Sequence, residues 1–421
     1  MAYGRRPERV DWRRATLNHP FLPYGRHVID EADIEAVARV LRGDFLTGGP
    51  AVDAFENRLA DITGAKFAVS CSSGTAALHL ATLALGLGPG DKTVVPTITF
   101  LATANAIRYV GADVVFCDVD PNTGLMRPQD LEHAIVEHGE TIKAVLPVHL
   151  AGQSPDLKGI AKIARKHGIA IIEDACHALG AVYPGTDGDA PVGSCRDSDM
   201  VVFSFHPVKT IAMGEGGAVT TNDPALTARL SQLCSHSMTR NAARFTNSDM
   251  AFDQDGAANP WYYEMSEIGF NYRASDIHCA LGLSQLNKLD HFVERRRQLA
   301  SRYDQQLATL APLVRPLGRR PGCRPAWHLY IALIDFAAAG IDRAELMNRL
   351  REKGIGSQVH YIPVHTQPYY RGLYGKTELP GAEAYYARSL SLPLFVGLTD
   401  SNVERVVAVL RESVAKVSTK H

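Results

Sequence analysis

Ile169-Ala-Ile-Ile-Glu-Asp-Ala-Cys-His177 and, further on, Met200-Val-Val-Phe-Ser-Phe-His-Pro-Val-Lys209 each contain a short apolar run that breaks off at polar, chemically capable residues. A run that is nearly all apolar, with no alternation, is the mark of a strand covered on both faces, as in a mainly parallel sheet. The same rhythm extends outward on both sides. Strands are predicted at Phe67–Ser70, Thr93–Pro96, Val114–Cys117, Ala144–Val148, Ile169–Glu173, Met200–Phe205 and Gly217–Thr220. Helical periodicity falls between them at Thr75–Leu85, Ala102–Tyr109, Asp130–Glu137, Asp156–Lys166 and Pro224–Cys234. Such alternation predicts a layered α/β domain whose ligand site lies at the carboxyl ends of the strands.

Past this region the pattern changes. Thr239–Tyr263, rich in Asn, Asp, Gly and aromatics, reads as a long loop of the kind that is usually functional. A helix is expected to start after Ser275, an N-cap residue, and to run through Leu286, Phe292 and the Arg295–Arg297 cluster as a connector. Beyond it the order is strand (His328–Asp335), helix (Asp342–Lys353), strand (Ser357–Ile362), helix (Ala382–Ser389) and helix (Ser401–Val414). The chain is therefore expected to divide into a basic extension at 1–21, a large domain at 22–290 and a small C-terminal α+β domain at 291–421. The extension holds five arginines (Arg5, Arg6, Arg9, Arg13, Arg14) and reads as a poorly ordered arm.

Composition narrows the function classes. Over 421 residues, 44 basic and 45 acidic side chains leave a net charge of -1, so no whole-chain field is available to hold nucleic acid. No apolar run approaches the roughly 18 residues of a membrane-spanning helix, and the N-terminus lacks the apolar core of a signal peptide. The seven cysteines are scattered, odd in number and never spaced C-x-x-C, which fits a reduced, cytoplasmic compartment and no metal framework.

Four segments carry chemistry. Ser70-Cys-Ser-Ser-Gly-Thr-Ala-Ala77 follows a strand and opens a helix. Its small residues let backbone N–H groups approach a phosphate at the helix N-terminus, although a plain capped helix start would look the same. Asp174 ends a strand predicted to be buried, where a carboxylate needs a partner; an N-cap or a structural ion pair would also serve. His177 can reach the same ligand or fill the core. Lys209 follows a strand and precedes the glycine-rich turn Gly214-Glu-Gly-Gly217. If the ammonium is held away from water, its pKa falls and it becomes the neutral amine that condenses with a carbonyl; a solvated surface lysine is the alternative. Asn271 and Arg273 stand two apart in an extended stretch before Ser275, offering a neutral donor and a bidentate fork, or simply a charged loop with a helix cap.

Six ordered motifs, S-G-T at 73–75, P-T-I-T-F at 96–100, E-D-A-C-H at 173–177, S-F-H-P-V-K at 204–209, G-E-G-G at 214–217 and N-Y-R at 271–273, resemble the DegT/DnrJ/EryC1/StrS family of sugar aminotransferases. The resemblance runs from about Leu22 to the C-terminus. It implies pyridoxal phosphate as cofactor and the fold type I scaffold of aspartate aminotransferase. It further implies that Lys209 carries the cofactor covalently and shuttles the proton, and that Asp174 pairs with the ring nitrogen. Phe100 would stack on the ring, Gly74, Thr75 and Ser204 would hold the phosphate, His177 would touch the cofactor, and Asn271 would reach it from a second subunit of a homodimer. Arg273 becomes a ligand for the amino donor's carboxylate.

A narrower resemblance comes from P-W-Y-Y-E-M at 260–265, W-H-L-Y at 327–330, V-H-Y-I-P-V-H at 359–365, Q-P-Y-Y at 367–370 and L-S-L-P-L-F at 390–395. These are similar to the pseudaminic acid branch of the family. The branch implies transfer of the amino group of L-glutamate to C4 of UDP-2-acetamido-2,6-dideoxy-β-L-arabino-hex-4-ulose. His206, His360, Tyr361, His365, Tyr369, Tyr370 and the Thr47-Gly-Gly-Pro50 segment are then candidates for the substrate cleft, with packing as their alternative role. Competing substrates are dTDP- or GDP-linked keto sugars aminated at C3 or C4. Related sugar dehydratases lack the lysine, so Lys209 argues against a lyase. The extension before Leu22 and the turn Pro184-Gly-Thr-Asp-Gly-Asp189 depart from the family pattern without touching a motif.

Overall fold

A computed structural model describes residues 20–415 of the chain. The extension's five arginines lie outside the described residues. Seven strands form the central sheet, in the spatial order Phe67–Cys71, Gly217–Thr221, Met200–Ser204, Ala170–Asp174, Ile142–Val145, Lys92–Pro96, Asp113–Cys117. From Met200–Ser204 to Asp113–Cys117 every neighbouring pair is parallel; only Gly217–Thr221 runs antiparallel to the strands beside it. All seven strands expected from the sequence are present, six with each end within one residue of the expected one; the strand expected at 144–148 lies at Ile142–Val145, two residues early at its start and three at its end. They are buried as the apolar runs require: Ile171, Ile172, Met200, Val201 and Val202 are at most 2% exposed.

The flanking helices follow their periodicity. In Leu157–Lys166, Leu157, Ile160, Ala161 and Ala164 are buried at i, i+3, i+4 and i+7, with Asp156 capping the first turn. Gly74–Ala84 is apolar nearly all round and buried, as a helix sealed between the sheet and its neighbours must be.

The C-terminal part builds a three-stranded antiparallel sheet, Val314–Pro316, Tyr330–Ile334 and Ser389–Leu392, covered by Arg343–Glu352 and Asp400–Ala415. Three expectations are corrected here. The single helix after Ser275 is two, Asp276–Leu286 and Leu289–Leu307. Between them Lys288 turns to bring its Nζ within 2.7 Å of the buried Asp33 and 2.8 Å of Asp30. Leu289–Leu307 starts in one hydrophobic cluster, where Leu289, Phe292 and Val293 join Phe203 and Phe205, and continues in another, where Leu299, Tyr303 and Leu307 join Tyr330 and Leu392. The segment expected as a strand at Ser357–Ile362 is irregular, paired with Ser389–Leu392 by the isolated Gln358–Ser391 bridge rather than by a ladder. Residues 389–392, expected at or beyond a helix end, are instead a buried strand. The turn at 184–189 closes a small hairpin, Val182–Gly185 with Gly188–Pro191.

No helix among the described residues is long and apolar enough to cross a membrane.

Candidate active site

Strand register brings the candidate residues together. Gly217 pairs with Cys71 on one side and Ser204 on the other, so the ends of three strands meet in one row. The loop leaving Cys71 then folds back over that row. A Cβ built on Gly217 would sit 2.3 Å from the Ser73 carbonyl oxygen, and one on Gly74 would sit 2.7 Å from Ser204 Cβ. Both positions must be glycine for the loop to close onto Ser204. Ser73 caps the helix that follows, its Oγ accepting from the Ala76 N–H at 3.1 Å. The capped helix start and the small-residue cradle are therefore one structure, open toward an anion through the helix N-terminus.

The cradle forms one wall of a cleft of about 600 Å³ at the carboxyl ends of the strands. Gly74, Thr75, Phe100, Asp174, His177, Ser204, His206, Lys209, His360 and Tyr361 all line it. Asp174 and Glu173 end the same strand and point to opposite faces. Glu173 turns into the protein, 2.8 Å from His149 Nε2, and accepts from Ser198 Oγ at 2.5 Å. Asp174 turns into the cleft, where its Oδ2 accepts from Thr103 Oγ1 at 2.6 Å and its Oδ1 from the Cys176 N–H at 3.2 Å. Both donors are neutral, and no cationic side chain among the described residues lies within 4.0 Å of the carboxylate. A buried carboxylate supported only by neutral donors is suited to a cation brought by a ligand.

Lys209 is the only lysine lining the cleft, and its Nζ has no ion-pair or hydrogen-bond partner among the described residues. Burial lowers its pKa from the ordinary lysine value, opposed only in part by Cys176 and Asp174. That shift favours the neutral amine.

His177 is buried and held neutral by desolvation, reinforced by the charge of Lys209. Its Nε2 lies 3.0 Å from Tyr361 Oη and its ring 4.4 Å from that of His328. Phe100 is 56% exposed into the cleft, its ring centre 6.0 Å from that of Tyr361. His360 is pushed down to about 3 by burial, and its Nδ1 lies 2.8 Å from Ser391 Oγ.

Asn271 and Arg273 do not join this group. They lie in an extended stretch in which the alternate residues Phe270 and Tyr272 stack at 4.9 Å and both meet His79. Asn271 and Arg273 are exposed, and Arg273 Nη1 donates to Ser235 Oγ at 3.0 Å. The Thr47–Pro50 segment is likewise outside the cleft lining, its Gly49 N–H bound to the Asp276 carboxylate at 2.8 Å. Of the C-terminal aromatics, His365 bonds Thr97 and Tyr370 bonds Asn105; both are structural, and Tyr369 is exposed away from the cleft. Thr103, Tyr24, His328, Gln358 and Gln367 line the cleft without having been singled out in the sequence. Thr103 stands four residues after Thr99 in T-F-L-A-T, while His328 falls within W-H-L-Y and Gln367 within Q-P-Y-Y.

Residues 27–411 match the DegT/DnrJ/EryC1/StrS aminotransferase family. The chain is 39% identical over 400 residues to the spore coat polysaccharide biosynthesis protein SpsC of Bacillus subtilis, spanning 94% of this chain and 98% of that one. Among solved structures it resembles Helicobacter pylori PseC, an aminotransferase involved in pseudaminic acid biosynthesis. There the TM-score is 0.83 at 29% identity, covering 94% of this chain and 100% of that one. It also resembles the Streptococcus pneumoniae sugar aminotransferase Spr1654 in its PMP-form, with a TM-score of 0.84 at 30% identity over 94% and 100% of the two chains.

The residues present fit pyridoxal phosphate. The glycine-closed cradle at Ser73–Thr75 and Ser204 suits its phosphate, the buried carboxylate of Asp174 its ring nitrogen, and the buried amine of Lys209, unpaired among the described residues, its aldehyde.

Proposed function

The chain belongs to the DegT/DnrJ/EryC1/StrS aminotransferase family, and on that premise we propose that it transfers the amino group of L-glutamate to C4 of a UDP-linked 4-keto-6-deoxy amino sugar. It has the fold of the type I pyridoxal phosphate enzymes, and pyridoxal phosphate is its cofactor. The observation that carries the reading is the meeting of Lys209, Asp174 and the cradle at 73–75 in one cleft. The substrate we assign is UDP-2-acetamido-2,6-dideoxy-β-L-arabino-hex-4-ulose. Its support is the pattern of motifs from Pro260 to Phe395 and the likeness to PseC.

When bound, pyridoxal phosphate supplies a carbonyl that takes up an amino group and a ring that delocalises the electron pair left at the reacting carbon. The chain's residues do the rest. Lys209 Nζ would hold the cofactor at that carbonyl and, as a free amine, would be the base that takes the proton from Cα of glutamate and gives one to C4 of the sugar. Asp174 would pair with the ring nitrogen, and Phe100 would stack on the ring. His177, held neutral by burial and placed by its contact with Tyr361, would touch the cofactor. His206, exposed, and His360, buried, both line the cleft and would face the sugar nucleotide.

The cleft presents one lysine and no arginine among the described residues, yet its ligands are anions. We assign the missing donors to a second copy of the chain, whose Asn271 would reach the cofactor phosphate and whose Arg273 would meet the glutamate carboxylate. Sedimentation of the active holoenzyme is expected to show a dimer; full activity in a monomer would refute the shared site. The substrate is tested by incubating holoenzyme and glutamate with UDP-, dTDP- and GDP-linked keto sugars. Amination of the UDP-4-keto sugar is expected, and turnover confined to a dTDP-3-keto or GDP-4-keto sugar would overturn the assignment.

A further inference from the structure

Asp174 is held by a chain of hydroxyls that no part of the reaction described above employs. Thr103 Oγ1 lies 2.6 Å from Asp174 Oδ2, and Thr99 Oγ1 lies 2.7 Å from Thr103 Oγ1. Both threonines are at most 1% exposed. A hydroxyl has a single proton. Since the carboxylate can only accept, Thr103 donates to it and must accept from Thr99. The polarity Thr99 to Thr103 to Asp174 is therefore fixed, and each donor strengthens the next.

The bond to Thr103 is the shorter of the carboxylate's two, 2.6 Å against 3.2 Å for the Cys176 N–H. A carboxylate's terminal torsion is soft and roughly two-fold, so without a donor on Oδ2 only the longer bond to Oδ1 is left to hold its plane. The spacing explains how the sequence builds this. Phe100 is the N-cap of the helix Leu101–Tyr109, with Thr99 just before it and Thr103 in the first turn. One turn of chain thus aims the Thr103 hydroxyl, backed by that of Thr99, at Asp174 and an aromatic ring at the cleft.

We propose that Thr103 is a positioning residue for the amino transfer: its hydroxyl, itself held by Thr99, fixes the carboxylate of Asp174 for the cofactor's ring nitrogen. The inference rests on the reading of Asp174 as the ring-nitrogen partner. The test uses holoenzyme reconstituted with pyridoxal phosphate labelled with nitrogen-15 in the ring, and compares wild type with Thr103→Val, Thr103→Ser, Thr99→Val and Asp174→Asn.

Thr103→Val keeps the shape and removes a hydrogen bond to a charged group. It is expected to move the ring-nitrogen resonance toward that of Asp174→Asn and to lower kcat roughly tenfold, with little change in KM. Thr103→Ser is expected to restore both, and Thr99→Val to produce a smaller shift in the same direction. If Asp174→Asn moves the resonance while Thr103→Val matches wild type in resonance and kcat, the role of Thr103 is refuted and that of Asp174 stands. If Asp174→Asn leaves the resonance where it was, the reading of Asp174 fails and takes this inference with it. Should Thr103→Val not fold, Thr103→Ser and Thr99→Val decide. A wild-type resonance in Thr103→Ser beside a shifted one in Thr99→Val upholds the proposal; any other pairing refutes it.

Discussion

Replacing Lys209 with alanine is expected to give a folded protein that no longer holds pyridoxal phosphate covalently and transfers amino groups at least ~10³-fold more slowly. The fold should survive because Lys209 Nζ makes no ion pair or hydrogen bond among the described residues, so no structural contact is lost. The chemistry should not survive, because no other lysine among the described residues lines the cleft. Burial lowers the lysine's pKa and enlarges the neutral fraction able to attack a carbonyl. Borohydride reduction followed by peptide mass mapping checks the assignment. The wild type is expected to carry the label on the peptide containing Lys209 and the variant to carry none; a label trapped on a different lysine would refute the role.

Asp174→Asn should cost nearly as much by a different route. The side chain keeps its shape, and its one remaining oxygen still accepts from Thr103 or from the Cys176 N–H, so folding is expected to be intact. What disappears is the negative charge opposite the ring nitrogen. Breaking a buried charge pair by neutralising one member costs about 3–5 kcal/mol, which corresponds to a rate loss on the order of 10³-fold. The single-turnover rate of the cofactor-loaded variant with glutamate measures the effect, and a rate equal to wild type would rule out the charge-pairing role.

The parts of this account that were legible in the sequence are those where strand chemistry and site chemistry coincide. Ile171-Ile-Glu-Asp174 announces both a buried strand and a carboxylate at its end, and Met200–Lys209 does the same for the lysine. The gathering of those ends depends on strand order, and the antiparallel Gly217–Thr221 between Phe67–Cys71 and Met200–Ser204 is a property of the folded sheet alone. In the sequence, Gly74 and Gly217 read only as small, permissive residues; the approach of a built Cβ to Ser204 and to the Ser73 carbonyl makes them steric requirements.

Side-chain targets were harder to read. His365 and Tyr370 share the aromatic character of Tyr361, but only the fold directs Tyr361 to His177 and sends the other two to Thr97 and Asn105. Ser357–Ile362 has the composition of a strand and fails to form one because its contacts are made largely outside a ladder: His360 Nδ1 lies against Ser391 Oγ, and its carbonyl accepts from Tyr385 Oη. Asn271 and Arg273 carry a two-residue period that says they share a face; the period does not say that the face lies outside this chain's own cleft, and only the family resemblance sends Asn271 to a second subunit.

The most direct measurement is the mass of the sugar product formed when holoenzyme meets UDP-2-acetamido-2,6-dideoxy-β-L-arabino-hex-4-ulose and glutamate labelled with nitrogen-15. One heavy nitrogen in the sugar nucleotide, formed in step with 2-oxoglutarate, is the expected result. A product that has lost water and gained no nitrogen, or an unaltered keto sugar beside active turnover of a different nucleotide sugar, would contradict it.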